Sequence, residues 1–151
     1  MKKLRIYVDT SVFGGCFDDE FSNASLQLFE AFKNSAHIPV ISEVTLGELE
    51  NAPQQVKKQL ITLKSVEVIS ITHEMEALAK KYIHENIVTE KYAGDALHIA
   101  AATITNADVL VSWNFKHIVN LKKINAFNAV NLKEGYGSLE IRTPQEVIDS
   151  E

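Results

Sequence analysis

Leu4-Arg5-Ile6-Tyr7-Val8-Asp9 is a short β-branched and aromatic run that ends on a carboxylate, and Thr10-Ser11 and the Gly14-Gly15 pair bound it. It reads as a first strand. Outward from it, Leu26, Leu28, Phe29 and Phe32 recur at helical spacing after Ser22 or Asn23, either a good N-cap, until Asn34-Ser35. Ile38 to Ile41 reads as the second strand, and Ser42 caps a helix running toward Pro53. A further helix follows from Pro53 through Leu60, then a third strand from Val66 to Ile71. Thr72 opens the helical pattern Met75, Leu78, Ala79, Tyr82, Ile83. Ala93 to Thr105 is an Ala-rich helix, Val109 to Val111 a fourth strand, His117 to Ile124 a helix, and Leu139 to Ile141 a weaker last strand. Strands this apolar, separated by helices, imply a parallel sheet of four to five strands covered on both faces: a three-layer α/β fold.

The 151 residues, 46% hydrophobic and 23% charged, fit one soluble domain over residues 1–151. A chain of this length buries enough surface to need neither disulfides nor a structural metal. Cys16 stands alone, which excludes a disulfide framework and suits a reducing, cytoplasmic setting. Asp9 cuts the apolar run too early for a signal peptide. No apolar stretch approaches the roughly 20 residues of a membrane span. Fifteen basic against twenty acidic residues give a net charge of -5, which argues against coating nucleic acid by bulk electrostatics but not against cutting it.

In parallel α/β sheets ligands bind beyond the carboxyl ends of the strands, where Asp9, Ser42, Thr72 and Ser112 fall. Asp9 is the hardest to read as structural, because a carboxylate ending a buried strand is costly unless something positive satisfies it. Glu48 lies on the helix after strand two. At about 100° per residue, the arc of Val44, Leu46, Leu49 and Ala52 contains it and excludes Glu43 and Glu50, so Glu48 points inward. Thr45-Leu46-Gly47-Glu48 also fits a capping box, out of register with a start at Ser42. Asp95 opens the Ala-rich helix, where the macrodipole favours an acid in any case.

No Lys or Arg near these three motifs is an obvious partner, so a divalent cation is the natural counter-charge, and hard oxygen ligands favour Mg2+ or Mn2+ over zinc. Five His without a His-x-x-x-His pair, and one Cys, give zinc no support. A cation held by carboxylates with open water positions suits phosphodiester hydrolysis.

Four blocks then carry a resemblance. Tyr7-Val8-Asp9-Thr10-Ser11-Val12, Ile41-Ser42-Glu43-Val44-Thr45-Leu46-Gly47-Glu48-Leu49, Gly94-Asp95-Ala96-Leu97-His98-Ile99-Ala100-Ala101-Ala102 and Leu110-Val111-Ser112-Trp113-Asn114 resemble, in order, the signature blocks of PIN-domain ribonucleases. The resemblance implies a Mg2+- or Mn2+-dependent endoribonuclease with RNA as substrate and a 5′-phosphate on its product. It often goes with a VapC-type toxin, an antitoxin partner and a homodimer. It carries Asp9, Glu48 and Asp95 over as metal ligands and adds Asn114 where the family usually has Asp. An amide oxygen can still ligate or hold a water, but brings no charge, so a second metal would bind more weakly. Asn114 also motivates an alternative, a PIN module that binds RNA or protein without cutting.

Thr10, Ser112, Lys116 and His117 are candidate substrate-side residues, Ser112 by hydrogen bonding to the acids and Lys116 and His117 in a segment that suits phosphate steering or base stacking. Trp113 and Phe115 read as loop aromatics packed under the sheet, Asp108 as a turn residue, His98 as helix packing, and Phe13 and Phe17 as either core or a partner patch. A haloacid-dehalogenase-type phosphatase would need an acid where Ser11 stands. A response-regulator receiver would need one where Thr72-His73 stands.

Overall fold

The computed structural model describes residues 2–150, so Met1 and Glu151, the ends of the expected 1–151 domain, lie outside the described residues. Five parallel strands, β1 (Arg5–Val8), β2 (Ile38–Ser42), β3 (Glu67–Ile69), β4 (Val109–Val111) and β5 (Ile141–Arg142), lie in the order β3-β2-β1-β4-β5. β1 is central, and its Ile6, Tyr7 and Val8 bury apolar surface on both faces. Ile6 and Val8 turn to one side and Tyr7 to the other, all fully buried.

Each face carries its own layer. Tyr7, Val40, Leu110 and Ile141 pack under α5 (His73–His84), α6 (Ala93–Ile104) and α7 (Leu121–Lys133). Ile6, Val8, Ile41, Val109 and Val111 pack against α1 (Thr10–Gly15), α2 (Ser22–Lys33), α4 (Gln54–Ile61) and α8 (Pro144–Asp149). This is the three-layer α/β arrangement that the strand pattern implied, with the chain winding from β1 toward β3 on one side and reaching β4 on the other. The reversal of direction lies at β1 and β4, so their carboxyl ends frame the crevice where such sheets bind ligands.

Several elements differ from the sequence reading. Thr10–Gly15 is a helix rather than a turn, because Val12 and Phe13 must be buried at once after β1. Phe13 is therefore core, and only Phe17, at 42% exposure, stays outside. The helix after Ser42, α3 (Glu43–Leu49), stops short of Pro53, since the residues before a proline are driven out of helical geometry. The third strand pairs only over Glu67–Ile69. The expected helix at His117 begins at Leu121 instead: the Asn114 carbonyl accepts Ile118 N–H and Val119 N–H at 3.1 and 2.9 Å in a loop, and Asn120 caps the helix through Lys123 N–H. The last strand is displaced to Ile141–Arg142, where Ser112 N–H bonds the Arg142 carbonyl at 3.1 Å. The helix Pro144–Asp149 carried no sequence expectation.

Candidate active site

At the end of β1, Asp9 is 4% exposed and its backbone N–H bonds the Val111 carbonyl of β4 at 3.0 Å. Two hydroxyls donate to its Oδ2, Ser11 at 2.7 Å and Ser112 at 2.8 Å. Its Oδ1 faces the His98 imidazole, 3.5 Å from Nε2. Ser11 also accepts Trp113 N–H at 3.0 Å, and Ser112 accepts Asn114 N–H at 2.9 Å, so the loop after β4 is strung on the residues that hold Asp9.

Ser42 and Thr45 form the capping box of α3, not Thr45 and Glu48, and the buried face of the helix is Thr45 and Leu49. Glu48 stands at the rim of that face with 41% of its side chain exposed, and Leu46 turns to solvent. Its Oε1 accepts from His98 Nε2 at 2.6 Å and Thr10 Oγ1 at 2.7 Å, and its Oε2 lies 3.4 Å from where a Cβ on Gly94 would stand. Glu43, outside the inward arc, is exposed and accepts Ile71 N–H at 2.6 Å.

Asp95 and His98 share one face of α6, three residues apart. Asp95 Oδ2 accepts from the Asn114 amide nitrogen at 3.3 Å. The amide is oriented by chemistry, because its oxygen accepts His117 N–H at 2.9 Å and so its NH2 must face Asp95. At its other ring nitrogen His98 meets the Tyr7 hydroxyl at 2.6 Å, which in turn meets Ser42 Oγ at 2.8 Å. With both nitrogens as donors, an imidazolium satisfies this buried chain from the cap of α3 to Glu48.

Burial works against charge on His98, but Tyr7, Glu48 and Asp9 outweigh it and hold the imidazole well above its ordinary pKa. Burial likewise pushes the Glu48 carboxyl up, and the bond and charge of His98, with Thr10, pull it below the usual value. Asp95 goes the other way. Burial and the charge of Asp9, aided by Glu48, push it up to about 6 against His98 and Asn114. Three carboxylates thus face one imidazolium, and two negative charges remain unanswered. Asp9 Oδ1, Glu48 Oε2 and Asp95 Oδ1 also carry no hydrogen bond.

A hydrated divalent cation fits this donor set in charge and hardness. Among the described residues no three His, Cys, Asp or Glu side chains form a ready-made metal cage. That is compatible with Mg2+, which keeps several of its own waters.

The structure gathers Asp9, Ser112, Asn114 and Asp95 into one hydrogen-bonded chain and Thr10 and Glu48 into another with His98, the two meeting where His98 Nε2 lies 3.5 Å from Asp9 Oδ1. The side chains of Lys116 and His117 lie outside both. Lys116 is exposed, and His117 stacks on Tyr92 with ring centroids 3.8 Å apart. Trp113 packs as expected, its indole N–H on Ser25 Oγ at 2.8 Å, whereas Phe115 is 49% exposed. Sequence reasoning missed His98, Ser11 and Tyr92. For His98 the available signal was its place one helical turn beyond Asp95.

The PIN domain profile matches residues 6–121, from the middle of β1 to the start of α7, and so takes in all of these side chains. The chain belongs to the PIN-domain family. No curated protein matches it in sequence. Among solved structures, this PIN domain is similar to Mycobacterium tuberculosis VapC20, a sarcin-ricin loop cleaving toxin, with a TM-score of 0.58 and 16% identity over 89% of this chain and 98% of that one. It is similar to VapBC2 from Rickettsia felis, solved bound to a DNA fragment from their promoter, with a TM-score of 0.57 and 15% identity over 93% and 98% of the two chains. A toxin-antitoxin complex from Klebsiella pneumoniae gives a TM-score of 0.56 and 18% identity over 78% and 93%. At these identities the likeness speaks for the PIN fold, and the chemistry has to be argued from the side chains. No described helix is long and apolar enough to cross a membrane.

Proposed function

We propose that this PIN domain is a Mg2+- or Mn2+-dependent endoribonuclease, acting in the cytoplasm as the toxin of a toxin-antitoxin pair. One observation carries the reading: three carboxylates, each with an oxygen not bonded to protein, meet at the carboxyl ends of β1 and β4 with one imidazolium among them. Asp9, Glu48 and Asp95 would hold the cation. When bound, it would supply a water acidified for attack and neutralise charge developing on the phosphate.

The chain's own residues fix the ligands. Ser11 and Ser112 hold Asp9 by one oxygen, His98 and Thr10 hold Glu48 by one oxygen, and Asn114 holds Asp95 by one oxygen, so each presents the other. Asn114 turns its NH2 toward the acids and adds no charge there, which favours one cation over two. Lys116 and His117, beside Asn114, are the proposed substrate contacts. The proposed antitoxin partner follows the toxin-antitoxin complexes named above, and the proposed homodimer follows the family resemblance alone.

The test is Mn2+-dependent hydrolysis of a generic RNA. Asp9→Asn and Asp95→Asn should each lower cutting about a hundredfold or more while thermal unfolding shows an intact fold. Retained cutting in either folded variant would refute the assignment. Binding without cutting by the unaltered chain would favour a PIN module that only binds RNA. Growth arrest on expression, relieved by a neighbouring gene's product, tests toxin status.

A further inference from the structure

The two segments that deliver Asp95 and Asn114 are joined a second time, outside the acidic group. Tyr92, in the 3₁₀ turn Glu90–Tyr92 that leads into α6, stacks on His117 with centroids 3.8 Å apart and planes 29° from parallel. Tyr92 is backed by the core under α5, α6 and α7. His117 is the outer ring. Its backbone N–H is fixed on Asn114 Oδ1 at 2.9 Å, and the Asn114 amide nitrogen is bonded to Asp95, so the residue's backbone stands two hydrogen bonds from Asp95. Among the described residues no second ring covers it and neither ring nitrogen has a hydrogen-bond partner. Cations surround the pair: Lys91 Nζ lies 5.6 Å over the Tyr92 ring, and Lys116 and Lys123 both act electrostatically on His117. Lys123 itself is tied to the Ile87 carbonyl, which leaves Lys91 and Lys116 for an incoming anion.

Resting on the endoribonuclease reading, we propose that the His117 ring, braced by Tyr92, is a stacking platform for the unpaired nucleobase beside the cleaved phosphate of a single-stranded RNA. Because Asn114 bonds both Asp95 and the His117 backbone, a phosphate at the acids would bring the adjoining nucleotide toward this ring, and Lys91 and Lys116 would offset the repulsion between the RNA backbone and an acidic chain. A base in a duplex has both faces covered, so only an unpaired one can use the platform. The other aromatic cluster at this end of the sheet does not fit the same role. Phe21 already covers Trp113 at 4.3 Å, and the cluster adjoins Asp18, Asp19 and Glu20, which repel phosphate.

Short oligoribonucleotides carrying 2-aminopurine at successive positions, titrated with the Asp9→Asn chain, test this. Quenching is expected at one position, and an abasic nucleotide there should weaken binding about tenfold. His117→Ala should lose both the quenching and the dependence on the base, Tyr92→Ala should weaken both, and Tyr92→Phe should keep both. If Asp9→Asn fails to fold, the unaltered chain in EDTA gives the same readout. Equal binding of base-bearing and abasic RNA, or quenching that survives His117→Ala, overturns the platform while leaving the nuclease reading standing. Failure to bind any oligoribonucleotide, with no cutting by the unaltered chain, removes the nuclease reading and the platform with it.

Discussion

The two ends of the central sheet treat charge in opposite ways. At the amino end of β1, Arg5 places Nε and Nη2 on Glu67 at 3.1 and 2.6 Å and Nη1 on the Thr105 and Asn106 carbonyls at 2.8 and 3.2 Å. Its backbone N–H takes Asp108 at 2.7 Å, which fixes Asp108 as a tie between β4 and β1 rather than a site residue. Arg5, Glu67 and Asp108 answer one another within the chain. At the carboxyl end, three acids share one buried His98. Charge that serves only the fold is paired, and charge left over marks where something outside the chain must bind.

The largest break in that contrast should come from His98→Ala. It removes the imidazolium that, among the described residues, is the one cation bonded to these acids, and strands Tyr7 and Glu48, so urea unfolding should show a loss of about 3 kcal/mol. Were His98 mere helix packing, Mn2+ affinity would stay unchanged in this variant; the expected result is a changed affinity.

Asp95 gives the pH dependence. Its folded value of about 6 lies above the ordinary 3.8, so between those values the folded chain keeps a proton that the unfolded chain has released. The metal-free chain should therefore lose stability as pH rises from about 4 to about 6. With solvent screening discounted, the loss is about 1 kcal/mol. Urea midpoints across that range check it, and Asp95→Asn should flatten the slope. Mn2+ binding should weaken as pH falls below about 6, because protons then compete for Asp95.

Asn114→Asp sharpens the comparison by adding an acid to the unpaired end and removing the NH2 that Asp95 accepts. Without metal the chain should lose about 1 kcal/mol. Calorimetry should show tighter Mn2+ binding, and unchanged or weaker binding would place the residue outside the shell. The smallest effect belongs to the other end. Glu67→Gln loosens a partly exposed pair and should cost about 0.5 kcal/mol, fading with salt.

The acids were legible because each sits where local pattern is strongest: Asp9 after a continuous apolar strand, Asp95 opening an Ala-rich helix, Glu48 near the end of a capped one. α1 was not legible, since Gly14-Gly15 reads as a break. Gly15 is instead a packing residue, because a Cβ there would lie 2.7 Å from Ser25 Oγ and 2.8 Å from Trp113. The inward reading of Glu48 treated Leu46 as core, and a wheel cannot tell a core-facing arc from one that opens on a cleft.

By itself the sequence determined the layers, the parallel sheet and the three acids, because periodicity and strand-end position are local properties of the chain. Only tertiary structure decided what each acid touches. That His98 and not a Lys or Arg stands among them, that Asn114 offers its nitrogen to Asp95, and that Tyr92 braces His117 all depend on residues 19 to 91 positions apart brought to the carboxyl end of the sheet. Hydrogen bonds of a few ångströms' reach leave no trace in a sequence window.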